Sequence, residues 1–560
     1  WLLGLAVAAN GLVPTLYPEP QSINIGSPSA AIALSSNISV VLSNHWQVDD
    51  PVFDSILARY TQLLRNKASA SRTQFPLPNG TQVLSVVSLV LSHTSSMLNS
   101  SVNESYTVFV DPTPKATITA ENIFGARLGL ETFAQLVETT AGMVQGAPLT
   151  ITDYPTYQYR ALMIDTGRHF LSVSFIKHIL DCMASLKLNV LHWHLVDSTS
   201  FPVDSVKFPL LASRGAYAYP QATYSLDQLR DVVQYARNRG VRVLGEFDMP
   251  GHGAFARGMP ELSLASCSDV FDVTKDSLYD FLVDFLTEME TVFDDTVLML
   301  GGDEVGFDPR CSWPGSRVCG YHCFDKDPTA SAFMKQHGLN ATDLLDYFWQ
   351  QVSAKVLPRL SRPHDLMVWM ADTPNGAGGP QHVWPAPHMS TMPQGAIANV
   401  YQSMKTAVTM LEQQTPVVLS VAGSDWYLDY HPSFEAIYSV RPCDVDQLDC
   451  ASHPPEYKHL ILGGSASAWG ESVHQMNFDA FVWEGTAALA ERLWSDTPLT
   501  PNATVAAEAA RSRFSSLQCH WAFWNLPMFH RQASGSEYVA FGDTQLSDPC
   551  PADWCAVPTQ

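Results

Sequence analysis

Between Arg160 and Ala468 the chain repeats one rhythm, a short apolar run followed by a longer amphipathic stretch, and that rhythm excludes most folds. The runs are Ala161–Ile164, Val190–Val196, Val241–Phe247, Val297–Leu300, Leu366–Met370, Ile397–Tyr401, Pro416–Val421 and Leu460–Ala468. Helical periodicity separates several of them, at Val173–Leu186, Leu226–Arg239, Ser277–Phe293, Ala341–Val356 and Thr406–Gln413. Apolar runs of this length read as strands buried on both faces, which calls for a parallel sheet covered by helices. Eight in series fit a closed (β/α)8 barrel better than an open sheet, and no phosphate-binding glycine loop follows the first.

The fourth run ends in Gly301-Gly302-Asp303-Glu304. The glycines let a ligand approach the backbone, and two adjacent carboxylates then stand at the mouth of the barrel, where such folds keep their chemistry. Repulsion and an apolar surround should raise one pKa of the pair so that it holds a proton near neutral pH, as a general acid must. Other polar residues fall at the other strand ends. Asp165 and Arg168 follow strand one, His192-Trp193-His194 and Asp197 strand two, and Glu246-Phe247-Asp248 with His252 strand three. Trp369 and Tyr401 close strands five and six, Trp426-Tyr427-Leu428-Asp429 strand seven, and Trp469-Gly470-Glu471 strand eight. Aromatic planes beside charged donors and acceptors make a sugar pocket. His192-x-His194 shares one strand face, but without a third ligand it reads as a buried hydrogen-bonding pair rather than a metal site. No Gly-x-Ser-x-Gly elbow supports a serine nucleophile. Neither a metal nor a cofactor is expected.

Upstream lies a different unit. Strand patterns at Thr81–Ser92 and Tyr106–Val110, with helical ones at Val52–Leu64 and Ala126–Val137, predict a small α+β domain over residues 15–154, closed by the linker Asp153–Tyr157. Residues 1–14 resemble the apolar core and small-residue end of a secretory signal. Residues 155–560 then hold the barrel, followed after about residue 495 by a helix and a Trp/Pro-rich tail. A net charge of −23 argues against nucleic acid or an anionic membrane as a partner, and no later stretch is long and apolar enough to span a bilayer. Six Asn-x-Ser/Thr sites, at Asn37, Asn79, Asn99, Asn103, Asn340 and Asn502, and ten cysteines suit a secreted or lysosomal (vacuolar) glycoprotein. Cys319/Cys323, Cys443/Cys450 and Cys550/Cys555 are close pairs, Cys267 and Cys311 could clamp the loops around the Asp-Glu strand, and Cys182 reads as a buried free thiol.

The segments Asp165–His169, Asn189–Asp197, Ser200-Phe201-Pro202, Gly245–His252, Leu300–Val305, Trp426–Asp429 and Trp469–Glu471 together resemble the glycoside hydrolase family 20 β-N-acetylhexosaminidases, in that family's order and over about residues 155–530. Gly129–Leu136 resembles the end of the family's N-terminal domain. The resemblance implies an exo-acting, retaining hydrolase of β-linked N-acetylhexosamine glycans, and a homodimer. The substrate's own acetamido carbonyl attacks the anomeric carbon in that chemistry, giving an oxazolinium intermediate. Carried over residue by residue, Glu304 is the general acid and then base, and Asp303 orients the acetamido group. Tyr427 bonds the acetamido oxygen while Trp369 and Trp469 wall its methyl. Arg168, Asp429 and Glu471 hold hydroxyls, Tyr401 and Trp426 complete the aromatic set, and Asp197, His252 and His194 support the acidic pair. Asp429-Tyr430 looks like the animal subunit type that disfavours 6-sulfated sugars. Met299 departs from the pattern where the family carries His, Tyr401 stands for a third pocket Trp, Met370-Ala371-Asp372 replaces a Gln-Glu, and Trp384 lies in the Gly/Pro-rich insertion 373–395. The main alternative is an ordinary retaining glycosidase with Glu304 as acid and Glu471 as nucleophile; a glycan-binding barrel without activity is the other.

Overall fold

The computed structural model describes residues 15–540 except 27–30, 44–47, 75–80, 138–141, 268, 306–321, 372–391, 402, 422–425, 444–454, 501 and several positions between 522 and 537. The signal-like residues 1–14, Asn79, Trp384, Cys311, Cys319, Cys450, Cys550 and Cys555 lie outside the described residues.

Seven strands open the chain: β1 (Ser22–Ile25), β2 (Ile32–Leu42), β3 (Gln82–Leu91), β4 (Tyr106–Asp111), β5 (Lys115–Ala120), β6 (Met143–Val144) and β7 (Leu149–Asp153). They form one mixed sheet in the order β1-β7-β4-β5-β3-β2-β6. Helices Pro51–Gln74 and Ile123–Leu136 pack on it and against each other. Asn122 caps the second, its side chain accepting from the amides of Phe124 and Gly125. Every residue of that helix is buried, because one flank meets the sheet and another the barrel, where Arg127 donates to the carbonyl of Ala184.

The second unit is a closed parallel barrel of eight strands: β8 (Tyr159–Asp165), β9 (Val190–Val196), β12 (Arg242–Phe247), β13 (Val297–Met299), β14 (Asp365–Met370), β15 (Ile397–Val400), β16 (Val417–Leu419) and β17 (Ile461–Ala468). Between β9 and β12 the chain adds a small parallel pair, β10 (Val203–Asp204) and β11 (Tyr224–Ser225). Capping residues set where several helices begin. Ser172 starts Val173–Ser185, and Ser225 with Gln228 forms a capping box on Leu226–Arg237. Two apolar layers result, one between strands and helices and one inside the barrel around Leu244, Met299, Met367 and Trp369.

Buried charge fastens the units together. Lys187 pairs with Asp153 at 2.9 Å and donates to the Tyr106 hydroxyl, and Arg160 forks onto Glu104 at 2.7 and 2.9 Å. Helix Ala503–Trp521 packs on the barrel helix Phe478–Ser495. No described helix is long and apolar enough to cross a membrane.

The disulfides depart from expectation. Cys267 is bonded to Cys323, neither to Cys311 nor within a short Cys319–Cys323 loop. Close spacing misled here, since the Cα positions of residues 56 apart lie only 5.6 Å from each other once the loops fold over. Cys443 and Cys519 are disulfide-bonded as well, and Cys182 is a buried free thiol.

Candidate active site

Strand β13 stops at Met299, and the next residues turn sharply enough to place two carboxylates side by side. Gly301 and Gly302 have φ of 68° and 104°, and a Cβ on Gly301 would lie 1.9 Å from the Asp248 carboxylate. No other residue fits there. Glu304 itself sits at φ 51° and His252 at φ 47°, a left-handed backbone that costs a side-chain-bearing residue roughly 1–2 kcal/mol. Strain at these two positions, and contact between them, marks a site under functional constraint.

Asp303 is 9% exposed and Glu304 more open. Burial, with Glu304 adding repulsion against the opposing pull of His252, pushes the Asp303 carboxyl up to about 7. Asp303 thus carries a raised pKa, although the resemblance gives the general-acid role to Glu304. Behind it Asp248, buried and pushed well up by loss of solvent, accepts from the Gly302 amide at 3.0 Å. Glu304 faces His252 Nε2 at 3.3 Å, and His252 Nδ1 faces Asp197 at 3.6 Å. Asp197 also takes Arg168 at 3.1 Å and His194 Nε2 at 3.0 Å; against the effect of burial, His252 foremost, then His194 and Arg168, hold its carboxyl well below the usual range.

Arg168 joins three strand ends, reaching Asp165 at 3.0 Å, Asp197 at 3.1 Å and Glu471 at 3.1 Å, and lies 5.0 Å over the Trp469 ring. The ring of Trp369 meets Tyr401 edge-on at 5.9 Å and Trp469 at 5.6 Å, and Tyr427 lies 6.0 Å from Trp469. Asp429, half-buried beside Glu471, is pushed up to about 6 by burial. The Tyr401 hydroxyl, the Trp469 indole N–H and Asp429 Oδ1 are buried with no hydrogen-bond partner among the described residues. Buried polar atoms left over in this way belong to a surface built for a polyhydroxylated ligand.

Trp426 is not part of this pocket. It is fully buried in the layer between strands and helices, its ring against Gly464 of β17. Trp426 and Tyr427 are neighbours in an extended segment, Tyr427 bridging Ser467, so their side chains leave on opposite faces and only Tyr427 points inward. His194 and His192 both face Glu246. Glu246 and Asp248 carried no assigned role in the sequence, although their i, i+2 spacing at the end of β12 was the available signal.

Residues 157–497 match the glycosyl hydrolase family 20 catalytic domain, and residues 16–136 match a beta-acetyl hexosaminidase-like domain. The chain belongs to glycosyl hydrolase family 20. Family 20 relatives extend over nearly the whole length. The alpha subunit of beta-hexosaminidase from Mus musculus is 32% identical over 92% of this chain and 93% of its own. The human beta subunit is 33% identical over 75% and 72%. Among solved structures, a chitobiase from Flavobacterium johnsoniae superposes with a TM-score of 0.73 at 25% identity, covering 92% of this chain and 73% of its own. An N-acetyl-beta-hexosaminidase from Streptomyces plicatus superposes at 0.68 and shares the fold at 20% identity, covering 93% and 97%.

Proposed function

We infer that this protein is an exo-acting β-N-acetylhexosaminidase that removes terminal β-linked N-acetylhexosamine with retention, the substrate's acetamido group supplying the nucleophile. One observation carries the reading: Asp303 is buried next to Glu304 and close to the aromatic box of Trp369, Tyr401, Tyr427 and Trp469. A carboxyl so placed meets an acetamido N–H and steers its oxygen toward the anomeric carbon, while Glu304 protonates the leaving oxygen and later activates water. Arg168, Glu471 and Asp429 form the hydroxyl-binding rim. Glu471 is held by Arg168 and more than half exposed, which favours hydroxyl binding over service as a protein nucleophile.

The test is hydrolysis of 4-nitrophenyl N-acetyl-β-glucosaminide beside the matching β-glucoside near pH 5. Turnover confined to the acetamido sugar supports the reading; equal turnover of the glucoside returns the nucleophile to the protein and points to Glu471. We also assign the chain to the secretory pathway as an N-glycosylated homodimer. Exposed sequons at Asn37, Asn103, Asn340 and Asn502 and the disulfides support the first part; the dimer rests on the family resemblance. A mass decrease on endoglycosidase treatment and a two-chain mass by light scattering are the expected results.

A further inference from the structure

Beneath the acetamido pocket, β8, β9, β12 and β13 are registered so that Asp165, His194, Glu246 and Met299 share one layer of the barrel interior. Glu246 is completely buried and spends both oxygens. Oε1 accepts from the Trp369 indole at 2.7 Å; Oε2 hydrogen-bonds His192 Nε2 at 2.8 Å and lies at ion-pair distance, 2.8 Å, from His194 Nδ1. His192 in turn stacks on Trp369 at 5.5 Å. His194 reaches Asp197 through its other nitrogen, and Asp197 leads through His252 to Glu304. An unbroken series of polar contacts therefore runs from a wall of the pocket to the acid/base carboxyl, with Glu246 at its buried end.

We propose that Glu246 is a positioning residue for the hydrolysis, its carboxylate fixing the Trp369 wall with one oxygen and, with the other, holding His194 as the cation that bridges Glu246 and Asp197. The proposal rests on the reading of Asp303 and Glu304 given above. Two buried carboxylates straddling one imidazole are expensive to desolvate and contribute little as packing. Their return is geometric, since His194 sets Asp197, and Asp197 sets both His252 and Arg168. Burial alone would strip the proton from His194, but Glu246 foremost, then Asp197 and Asp165, hold its pKa well up. Asp248 also lies within reach of that charge, His192 competes for the same Glu246 oxygen, and Arg168 and His252 face it across Asp197.

Glu246→Gln keeps an acceptor for Trp369 and removes the charge that holds the His194 proton. His194 then loses its proton as pH rises through the assay range. With 4-nitrophenyl N-acetyl-β-glucosaminide, we expect the KM within a few-fold of wild type and kcat at pH 7 lowered about 10²-fold, the loss typical of misplaced catalytic groups. Activity should recover on acidification, the alkaline limb moving acidward by about one unit or more, as loss of a close opposite charge dictates. His194→Gln, which cannot form the cation, should lose kcat without recovery at low pH, and it decides the matter alone if Glu246→Gln fails to fold. Variants with wild-type kcat and an unmoved pH profile overturn the proposal. Failure of the underlying reading is distinguishable, because it appears in the wild type as indifference to the acetamido group.

Discussion

Asp303 shows how a single carboxyl is adapted at a cost to the fold. Its pKa in the folded protein, about 7, lies above the ordinary 3.8, so the folded protein holds a proton that the unfolded chain has released. The penalty is absent below about pH 4 and grows as pH climbs toward 7. Asp303→Asn should therefore melt above wild type at pH 7 and alongside it at pH 4, while kcat on the acetamido substrate falls about 10²–10³-fold, as for removal of one preorganised stabilising group; thermal melts at both pH values with parallel kinetics test this. Asp429, pushed up to about 6, is mostly charged at pH 7 and mostly protonated at pH 5. If it repels a 6-sulfate, the kcat/KM ratio of unsulfated to 6-sulfated 4-nitrophenyl glycoside should be larger at pH 7 than at pH 5, and Asp429→Asn should flatten that difference.

At the scale of elements, the turn after β13 tolerates little substitution. Gly301→Ala combines a left-handed backbone with a methyl 1.9 Å from the Asp248 carboxylate, which must push Asp248 off the Gly302 amide. We expect a melting temperature lowered by several degrees and at least tenfold less activity, read by calorimetry and initial rates; wild-type values would show that the turn relaxes freely. The loop closed by Cys267 and Cys323 spans 56 residues, and closing a loop of that length restricts the unfolded chain by roughly 4 kcal/mol at most. Replacing both cysteines with serine should cost about 2–4 kcal/mol in chemical denaturation.

Across the whole molecule, the two units share a buried ionic seam. Lys187 is fully enclosed, its pKa lowered by burial against the pull of Asp153, and Trp494 covers it at 4.4 Å. Lys187→Met leaves Asp153 buried without its cation, a change worth about 3–5 kcal/mol. The denaturation midpoint should drop while kcat at 25 °C stays near wild type, since Lys187 lies at the opposite end of the barrel from the carboxylates. An unchanged midpoint would show that Tyr106 and Trp494, which also donate to Asp153, suffice.

The sequence by itself determined the barrel, because strands buried on both faces must be apolar throughout and each of the eight runs became a strand. It also placed Asp303 and Glu304 at the carboxyl end of the barrel, where such folds gather their polar side chains. Strands such as β2, interrupted by Ser35-Ser36-Asn37 where its register slips, lacked that unbroken pattern and escaped notice. Only the tertiary structure decided that Trp426 faces away from the pocket that Tyr427 enters, that Cys323 pairs with Cys267, and that Glu246 connects Trp369 to His194. Those outcomes depend on register, on loop closure and on which strands are neighbours, and each is a distance between residues far apart in the chain.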